Sequence, residues 1–186
     1  HDGTAMRRMV QGDVGSGKTM VAAALAYAAA RGGAQSAMMA PTEILAQQHY
    51  SGLSALLEPL GVRVGLLTAG LPPAVRREIR EQLADGTIDF VIGTHALLSE
   101  GVTFSRLRLV ITDEQHRFGV RQRARLREKA EIPPHMLVMS ATPIPRTLAM
   151  VLYGDMDLSV IDELPPGRVP IDTRAPTEEY RDAVYG

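Results

Sequence analysis

The stretch that decides the fold is Gly12-Asp13-Val14-Gly15-Ser16-Gly17-Lys18-Thr19, which follows a short apolar stretch and leads into an Ala-rich run from Met20 to Ala30. The pattern is G-x-x-x-x-G-K-[ST] between a predicted strand and a predicted helix, and this context gives the motif its meaning. The glycines let the backbone turn its N–H groups inward, and the start of the helix adds the positive end of its dipole. The sequence therefore predicts a loop that binds phosphate groups.

The side chains at the end of this loop predict what it would hold. The Lys18 ammonium can reach the outer phosphates of a nucleotide, and the Thr19 hydroxyl can ligate Mg²⁺. The alternative, a glycine-rich turn that binds nothing, is disfavoured by the flanking strand and helix patterns. The residues predicted to bind the nucleotide are Gly12, Asp13, Val14, Gly15, Ser16, Gly17, Lys18 and Thr19.

Apolar strand-like runs alternate with helical patterns in the rest of the chain. The predicted strands are Ala37–Ala40, Val62–Leu67, Ile88–Ile92, Leu107–Ile111 and Met136–Met139. Helices are predicted over Ile44–Leu57, after the cap candidate Thr42, and over 75–83, before the stop at Asp85-Gly86. Since each continuous apolar strand is followed by a helix, the pattern predicts a mainly parallel sheet covered on both faces, a three-layer α/β/α sandwich. Ligands of such sheets bind beyond the carboxyl ends of the strands.

Length and composition fit one ordinary domain. The chain has 186 residues, of which 45 % are hydrophobic and 22 % charged, which excludes a disordered chain and a membrane protein. It contains no Cys, so a disulfide scaffold and a thiolate metal site are excluded as well. The domain is predicted over residues 6–157, with 1–5 a remnant or linker. Because the pattern weakens before Leu164-Pro165-Pro166-Gly167, residues 158–186 are expected to be a linker and the chain a piece of a larger protein.

The charge balance bears on nucleic-acid binding. The chain has 20 Lys and Arg against 21 Asp and Glu, a net charge of -1, which argues against binding through bulk positive charge but allows a local basic face. The densest basic cluster comprises Arg117, Arg121, Arg123, Arg125, Arg127 and Lys129. A nucleic-acid role and a solvated face both stay open for this cluster, and Phe118 fits either a mobile aromatic loop or a core position.

Two acids follow another predicted strand. The apolar run ending at Thr112 leads into Asp113 and Glu114, and a strand that ends in two acids is the usual partner of a phosphate loop. Asp113 is predicted to hold Mg²⁺ through water, and Glu114 to orient and deprotonate an attacking water. His116, two residues further on, is by itself better explained as a satisfied loop histidine.

Three more strand ends carry hydroxyl groups at predicted helix starts. Ser140 and Thr142 follow the last predicted strand, and they fit both a helix cap and a pair of hydroxyls that senses the nucleotide state. Thr42 and Thr94 each stand at a turn from strand to helix, and His95 follows the second. Free N–H groups and a hydroxyl make a neutral grip for phosphates, so these two starts are candidates for contact with a nucleic-acid backbone. Helix caps that bind nothing remain the alternative.

The order of these motifs resembles that in the first motor domain of superfamily-two helicases. The motifs concerned are Gly12–Thr19, Ala40–Glu43, Gly93–Ala96, Asp113–His116 and Ser140–Thr142. The longer stretches that resemble the RecG family of bacterial branch-migration helicases are Val10–Thr19, Asp113–Val120, Ser140–Ala149 and Ile161–Arg168. The transcription-repair coupling translocases, an alternative family, share His116–Val120 but usually carry Glu where this chain has Gln115. Gln115 therefore favours the RecG family.

The resemblance implies a RecA-like P-loop NTPase fold and an ATP-dependent DNA helicase of the bacterial cytoplasm. The expected activity is ATP-driven translocation on duplex DNA, which remodels stalled replication forks and Holliday junctions in recombination and repair. ATP and Mg²⁺ are the implied cofactors. The implied partners are branched or duplex DNA, together with a second motor domain and a wedge domain of the same parent chain, and no membrane.

The resemblance also implies roles for the matching residues. Those implied in catalysis and its coupling to the second motor domain are Lys18, Asp113, Glu114, Gln115 and His116. Those implied to hold Mg²⁺ are Thr19 and Asp113. Those implied to link the ATP state to movement are Ser140 and Thr142. Those implied to contact the DNA backbone are Thr42, Thr94 and His95.

Two other function classes stay open. A non-enzymatic, nucleotide-gated binding module would use the same loop without turnover, and a small-molecule kinase would need a substrate lid that the sequence does not suggest. Compared with the family, this sequence lacks the wedge domain and the second motor domain with its arginine fingers, and the adenine-reading segment is missing or reduced to His1–Ala5. The chain alone is therefore expected to bind nucleotide weakly and to hydrolyse it slowly if at all.

Overall fold

The computed structural model describes residues 5–114, 125–141 and 156–162, and within them a seven-stranded sheet carries helices on both faces. The strands are β1 (Arg7–Gly12), β2 (Gln35–Met39), β3 (Val64–Leu67), β4 (Phe90–Gly93), β5 (Leu107–Glu114), β6 (His135–Ser140) and β7 (Asp157–Ile161). The α-helices are α1 (Lys18–Arg31), α2 (Glu43–Leu57) and α3 (Pro73–Ala84). Two short 3-10 helices span Glu58–Leu60 and His95–Leu98.

The strands of the described residues lie in the order β3-β4-β2-β5-β6-β1-β7, and every pairing is parallel. The mainly parallel sheet predicted from the alternation of apolar runs and helices is confirmed. All carboxyl ends therefore lie along one side of the sheet, the carboxyl edge, which is formed by the last residue of each strand and the residues that follow it. Every predicted site residue that the structure describes lies at or next to this edge.

Strand side chains alternate between two apolar clusters, one on each face of the sheet. Met38 belongs to the cluster that includes buried residues of α1 and α2, whereas Ala37 and Met39 belong to the other, which includes Leu83 of α3. Because successive strand residues point to opposite faces, a sheet covered on both faces needs apolar residues at every position. Burial on both faces therefore explains why the strands are continuous apolar runs in the sequence. The predicted three-layer α/β/α arrangement is confirmed.

Helices begin after both Thr42 and Thr94, as predicted, but only Thr42 caps its helix through the side chain. Thr42 Oγ1 accepts a hydrogen bond from the Leu45 N–H at 3.2 Å, as an N-cap residue does. Thr94 makes no such bond, and the segment after it is a four-residue 3-10 helix. Leu97 and Leu98 of this segment are buried, so packing against the core decides its conformation.

The sheet continues past residue 157, the predicted end of the domain. Residues 158–161 of β7 pair with 9–12 of β1, so the sheet extends at least to Ile161. Arg8 of β1 also bonds to side chains of β7: its Nη1 donates to Ser159 Oγ at 2.7 Å and its Nη2 to Asp157 Oδ2 at 3.3 Å. β7 lies at the edge of the sheet, and its partly exposed, mixed polar and apolar residues give a weak strand pattern. The division of the rest of the chain into domain and linkers stays a prediction.

Crossing a bilayer takes a helix of about 20 mostly apolar residues. No helix in the described ranges meets that requirement.

Candidate nucleotide-binding site

The phosphate-binding loop predicted from the sequence joins β1 to α1 at the carboxyl edge. Gly15 and Gly17 have φ angles of 81° and 93°, a left-handed backbone that favours glycine, and Gly17 is the N-cap residue of α1. A Cβ atom on Gly12 would crowd the Ser16 hydroxyl and Ile161, so Gly12 allows Ser16 to lie close to the end of β1. α1 begins at Lys18, so its first N–H groups and the positive end of its dipole face the loop.

Lys18 closes over this loop. Its Nζ donates to the carbonyl oxygens of Gly12 at 2.7 Å and Asp13 at 2.6 Å. Burial disfavours the charged ammonium and lowers the pKa of Lys18, while the negative charge of Asp113 opposes this shift. The ammonium therefore lies within electrostatic reach of Asp113, one residue before the end of β5, although 95 residues separate the two in sequence.

The strand register brings the acids to the loop. Gln11 of β1 pairs with Ser140 of β6, and Ser140 pairs with Glu114 of β5, so the three residues form one row across adjacent strands. Neighbouring strands are about 4.8 Å apart, which puts the ends of β1 and β5 about 10 Å from each other. Asp113 stands one residue earlier, opposite Met139. The loop and the two acids thus share one part of the carboxyl edge, as the sequence predicted.

His49 of α2 is a site residue that the sequence analysis missed. Its Nε2 lies 2.7 Å from Asp113 Oδ2, and the two side chains are 15 % and 11 % exposed. A sequence signal existed, because Ala46, Leu53 and Leu57 mark the buried stripe of α2 and His49 falls on it at i+3 from Ala46. A polar residue on an apolar stripe needs a partner inside the fold, and this partner is Asp113.

The side chains around the loop fit a nucleotide with Mg²⁺. Ser16 Oγ is buried and has no hydrogen-bond partner within the described residues, so it can bond to a ligand. Thr19 is partly exposed in the first turn of α1, and Asp113 adds a carboxylate. Among the residues that the structure describes, no group of three His, Cys, Asp or Glu could hold a metal ion by itself. Mg²⁺ usually binds one or two carboxylates plus water and substrate phosphates, so this donor set suits Mg²⁺ that arrives with a nucleotide.

The residues predicted to contact nucleic acid lie further along the carboxyl edge, at the ends of β2 and β4. Thr42 and His95 are exposed there. Thr94 is 2 % exposed, and its hydroxyl has no hydrogen-bond partner among the described residues. The structure thus offers Thr42 and His95 directly to a ligand, whereas the Thr94 side chain points into the protein.

The basic cluster predicted over residues 117–129 is only partly described. Lys129 Nζ donates to the carbonyl oxygens of Ser99 and Val102, both at 2.8 Å, so this ammonium joins two loops of the fold. Arg125 is exposed and Arg127 half-buried. The predicted residues that lie outside the described ranges are Gln115, His116, Arg117, Phe118, Arg121, Arg123 and Thr142.

Comparison with known proteins supplies independent findings. A protein-family model described as DEAD/DEAH box helicase matches residues 4–151. A protein of Acidithiobacillus ferridurans named ATP-dependent DNA helicase RecG is 56 % identical over 181 residues, which are 97 % of this chain and 26 % of that protein. A protein of the same name from Synechocystis sp. is 55 % identical over 180 residues, 97 % of this chain and 22 % of that protein. The chain spans about a quarter of the length of these curated relatives.

The similarity extends to three dimensions. A solved structure of RecG bound to a three-way DNA junction superposes on this chain with a TM-score of 0.79 at 42 % sequence identity. The match covers 98 % of this chain and 24 % of that one. The fold of the described residues is therefore shared with one part of a much longer DNA-binding protein.

Proposed function

The chain belongs to the DEAD/DEAH box helicase family, and from this premise we propose that it is the ATP-binding motor domain of a RecG-type DNA helicase. The resemblance to RecG that the motifs predicted is confirmed by the relatives, and the RecA-like fold by the RecG structure. The observation that carries the proposal is the geometry of the carboxyl edge, where the strand register places the end of β5, with Asp113, about 10 Å from the glycine loop over which Lys18 lies. A phosphate loop next to a carboxylate at a strand end is the arrangement that triphosphate hydrolysis uses.

Nucleotide binding would use the main-chain and side-chain groups of the glycine loop and the start of α1. The N–H groups at the start of α1 and the hydroxyl of Ser16 can bond to phosphate oxygens. Lys18 would exchange the carbonyl oxygens of Gly12 and Asp13 for the outer phosphates of ATP, gaining a charged acceptor in place of two neutral ones.

Hydrolysis would be carried out at the end of β5. In the proposed step, the water oxygen bonds to the γ-phosphorus, the bond to the β–γ bridging oxygen breaks, and the water proton goes to Glu114. Thr19 and Asp113 would hold Mg²⁺, which supplies positive charge next to the phosphate oxygens. Ser140 lies in the same register row as Glu114, which suits its proposed role with Thr142 in linking the ATP state to movement.

The proposed substrate is branched or duplex DNA. The proposed activity is the remodelling of stalled replication forks and Holliday junctions in the bacterial cytoplasm. Support comes from the junction bound in the RecG structure and from the share of the relatives that this chain spans. The missing share would include the second motor domain, coupled through Gln115 and His116, and the wedge domain. Thr42, Thr94 and His95 would lie against the DNA backbone, Thr94 through its main chain.

The test uses the full-length parent protein with two variants and a control. Lys18→Ala should weaken ATP binding roughly tenfold to a hundredfold, because it removes charged hydrogen bonds of about 1.5–3 kcal/mol. Glu114→Gln should keep ATP binding and lower DNA-dependent turnover by about 10² to 10⁴, because it removes the general base. Arg31→Ala, an exposed residue at the far end of α1, should behave as wild type. Fluorescent-nucleotide titration and phosphate release measure the two quantities.

Unchanged turnover in Glu114→Gln would remove this residue from the proposed step. Wild-type fork remodelling by that variant would favour the rival class, a nucleotide-gated binding module. A fork-unwinding assay on the wild-type parent separates the RecG-type activity from that of a transcription-repair coupling translocase, which should act on stalled polymerase instead.

A further inference from the structure

A basic cavity of about 490 Å³ opens at the carboxyl edge, next to the ends of β3 and β4. Its basic lining residues are Arg76 and Arg80 of α3, His95 and Arg125, and no described residue of its lining is acidic. The proposed nucleotide chemistry uses none of these arginines. The cavity is named here the arginine cavity.

Within the described part of the chain, the two α3 arginines of this cavity are less well partnered than Arg63 and Arg77. Arg76 Nε and Arg80 Nε are buried, and neither has a hydrogen-bond partner within the described residues. By contrast, Arg77 on the same helix lies 3.9 Å from Glu81, and Arg63 is paired with Asp89 at 2.7 Å. A buried donor without an acceptor costs free energy. An oxygen acceptor that binds in the cavity would therefore stabilise these N–H groups.

The spacing of these two arginines also favours a bound anion. Arg76 and Arg80 stand four residues apart, which places two positive charges on one face of α3. Such a like-charged pair is unfavourable unless an anion lies between or above the two groups. The planar fork of a guanidinium matches the geometry of phosphate oxygens, and arginine is therefore a common phosphate ligand.

The arginine cavity continues the surface already proposed for DNA. β4 lies between β2 and β3, so the three strand ends span about 10 Å of the carboxyl edge. The Gly70 N–H donates to Glu43 Oε1 at 2.9 Å, which joins the loop that lines the cavity through Ala69 to the residue after Thr42. One strand of duplex DNA carries a charge about every 3.4 Å of helix axis, so this length of edge can face more than one phosphate.

We infer that the arginine cavity binds backbone phosphates of DNA and extends the proposed contact from Thr42 and His95 to Arg76, Arg80 and Arg125. The inference rests on the proposed function. Phosphate rather than base contact is favoured because, among the described lining residues, there is no Phe, Tyr or Trp on which a base could stack. The sheet edge then divides into a nucleotide half at β5, β6 and β1 and a DNA half at β2, β4 and β3.

The test measures how DNA affinity depends on salt in the full-length parent protein. Each phosphate contact adds about 0.9 to the slope of log K against log salt concentration. Arg76→Gln/Arg80→Gln should therefore lower the slope for a fluorescent 30-base-pair duplex by about 2 and weaken binding roughly tenfold or more at 100 mM salt. The matched control Arg31→Gln/Arg77→Gln removes the same charge from two exposed residues outside the cavity and should keep the wild-type slope.

Two further variants guard against loss of folding. Arg76→Lys/Arg80→Lys keeps both charges and should restore most of the slope, and the single variant Arg76→Gln should lower it by about 1. A slope for Arg76→Gln/Arg80→Gln equal to that of the control would overturn the inference. An unchanged slope with a lower Tm would also overturn it and would favour a structural role for the two arginines instead of contact with DNA.

Failure of the proposed function gives a different result. In that case the wild-type parent itself would show no salt-dependent binding to the duplex and no DNA-dependent ATP turnover, and both proposals would fall. If wild type binds and turns over ATP but the cavity variants match the control, the proposed function stands and the arginine cavity has no part in it.

Discussion

At the scale of the residue, the contact between His49 and Asp113 links two parts of the carboxyl edge. His49 stands seven residues after Thr42, about 10 Å along α2. The helix therefore carries a proposed DNA contact at its start and a contact with the proposed Mg²⁺ carboxylate two turns later. Because His49 bonds to Oδ2, it restricts the rotation of the Asp113 carboxylate and fixes the direction in which its oxygens point.

We predict that His49→Ala raises the Mg²⁺ concentration needed for half-maximal ATP turnover of the parent protein by about ten- to a hundredfold. Groups that orient a metal ligand typically have effects of this size when they are removed. His49→Gln keeps a side-chain donor and should recover part of the loss. A Mg²⁺ titration of phosphate release, with the exposed neighbour Gln48→Ala as control, measures the effect. Equal Mg²⁺ requirements for His49→Ala and Gln48→Ala would refute the positioning role.

At the scale of the element, an ion pair holds the edge strand β3 to β4. Arg63, just before β3, donates from Nε to Asp89 Oδ2 at 2.9 Å and from Nη2 to Asp89 Oδ1 at 2.7 Å. The Arg63 backbone N–H donates to the same carboxylate at 2.9 Å. Burial alone would raise the pKa of Asp89, but the hydrogen bonds from Arg63 and its charge outweigh burial, so the pKa is lower than usual.

The lowered pKa makes the stability of this pair depend on pH. The folded chain binds the Asp89 proton more weakly than the unfolded chain, so the pair stabilises the fold above the ordinary pKa of 3.8 and this contribution is lost as pH falls below it. We predict that Asp89→Asn lowers the free energy of unfolding by about 1 kcal/mol or less at pH 7, since Arg63 is largely exposed. The difference from wild type should shrink towards zero between about pH 4 and pH 2.

Urea unfolding of the chain from pH 2 to pH 7 checks this prediction. Glu131→Gln, which neutralises an exposed carboxylate elsewhere, serves as the control. A loss of stability in Asp89→Asn that is the same at pH 2 and pH 7 would show that packing rather than charge holds the two strands together.

At the scale of the whole molecule, the chain carries one side of the proposed ATP site. The resemblance to superfamily-two helicases implies that arginines from a second motor domain complete the site, and such arginines contribute about 10³ to 10⁵ in rate. We predict that the isolated 186-residue chain hydrolyses ATP slower than the parent by a factor of this order and gains little from added DNA. Phosphate release by the chain, with its Glu114→Gln variant as background, measures this.

Strong DNA stimulation of the isolated chain would contradict that prediction. It would mean that the groups needed for the transition state lie within these 186 residues. The proposed dependence on a second domain would then have to be abandoned, although the proposed nucleotide site would stand.

The sequence by itself determined the phosphate loop and the strands and α-helices before β7. Local chemistry is sufficient for both: the glycines and Lys18 of the loop act through the backbone next to them, and a sheet buried on both faces needs continuous apolar strands. α2 begins where the Thr42 cap predicts, because a capping bond reaches three residues along the chain.

Only the tertiary structure decided which distant residues meet. His49 and Asp113 are 64 residues apart, and the arginine cavity draws on segments around residues 69, 76–80, 95–99 and 125. Thr94 begins only a short 3-10 helix without a side-chain cap bond, in which Leu97 and Leu98 are buried, and β7 pairs with the side of β1 that β6 leaves free. Contacts of this kind depend on strand order and register, and no pattern within a stretch of a few residues encodes either.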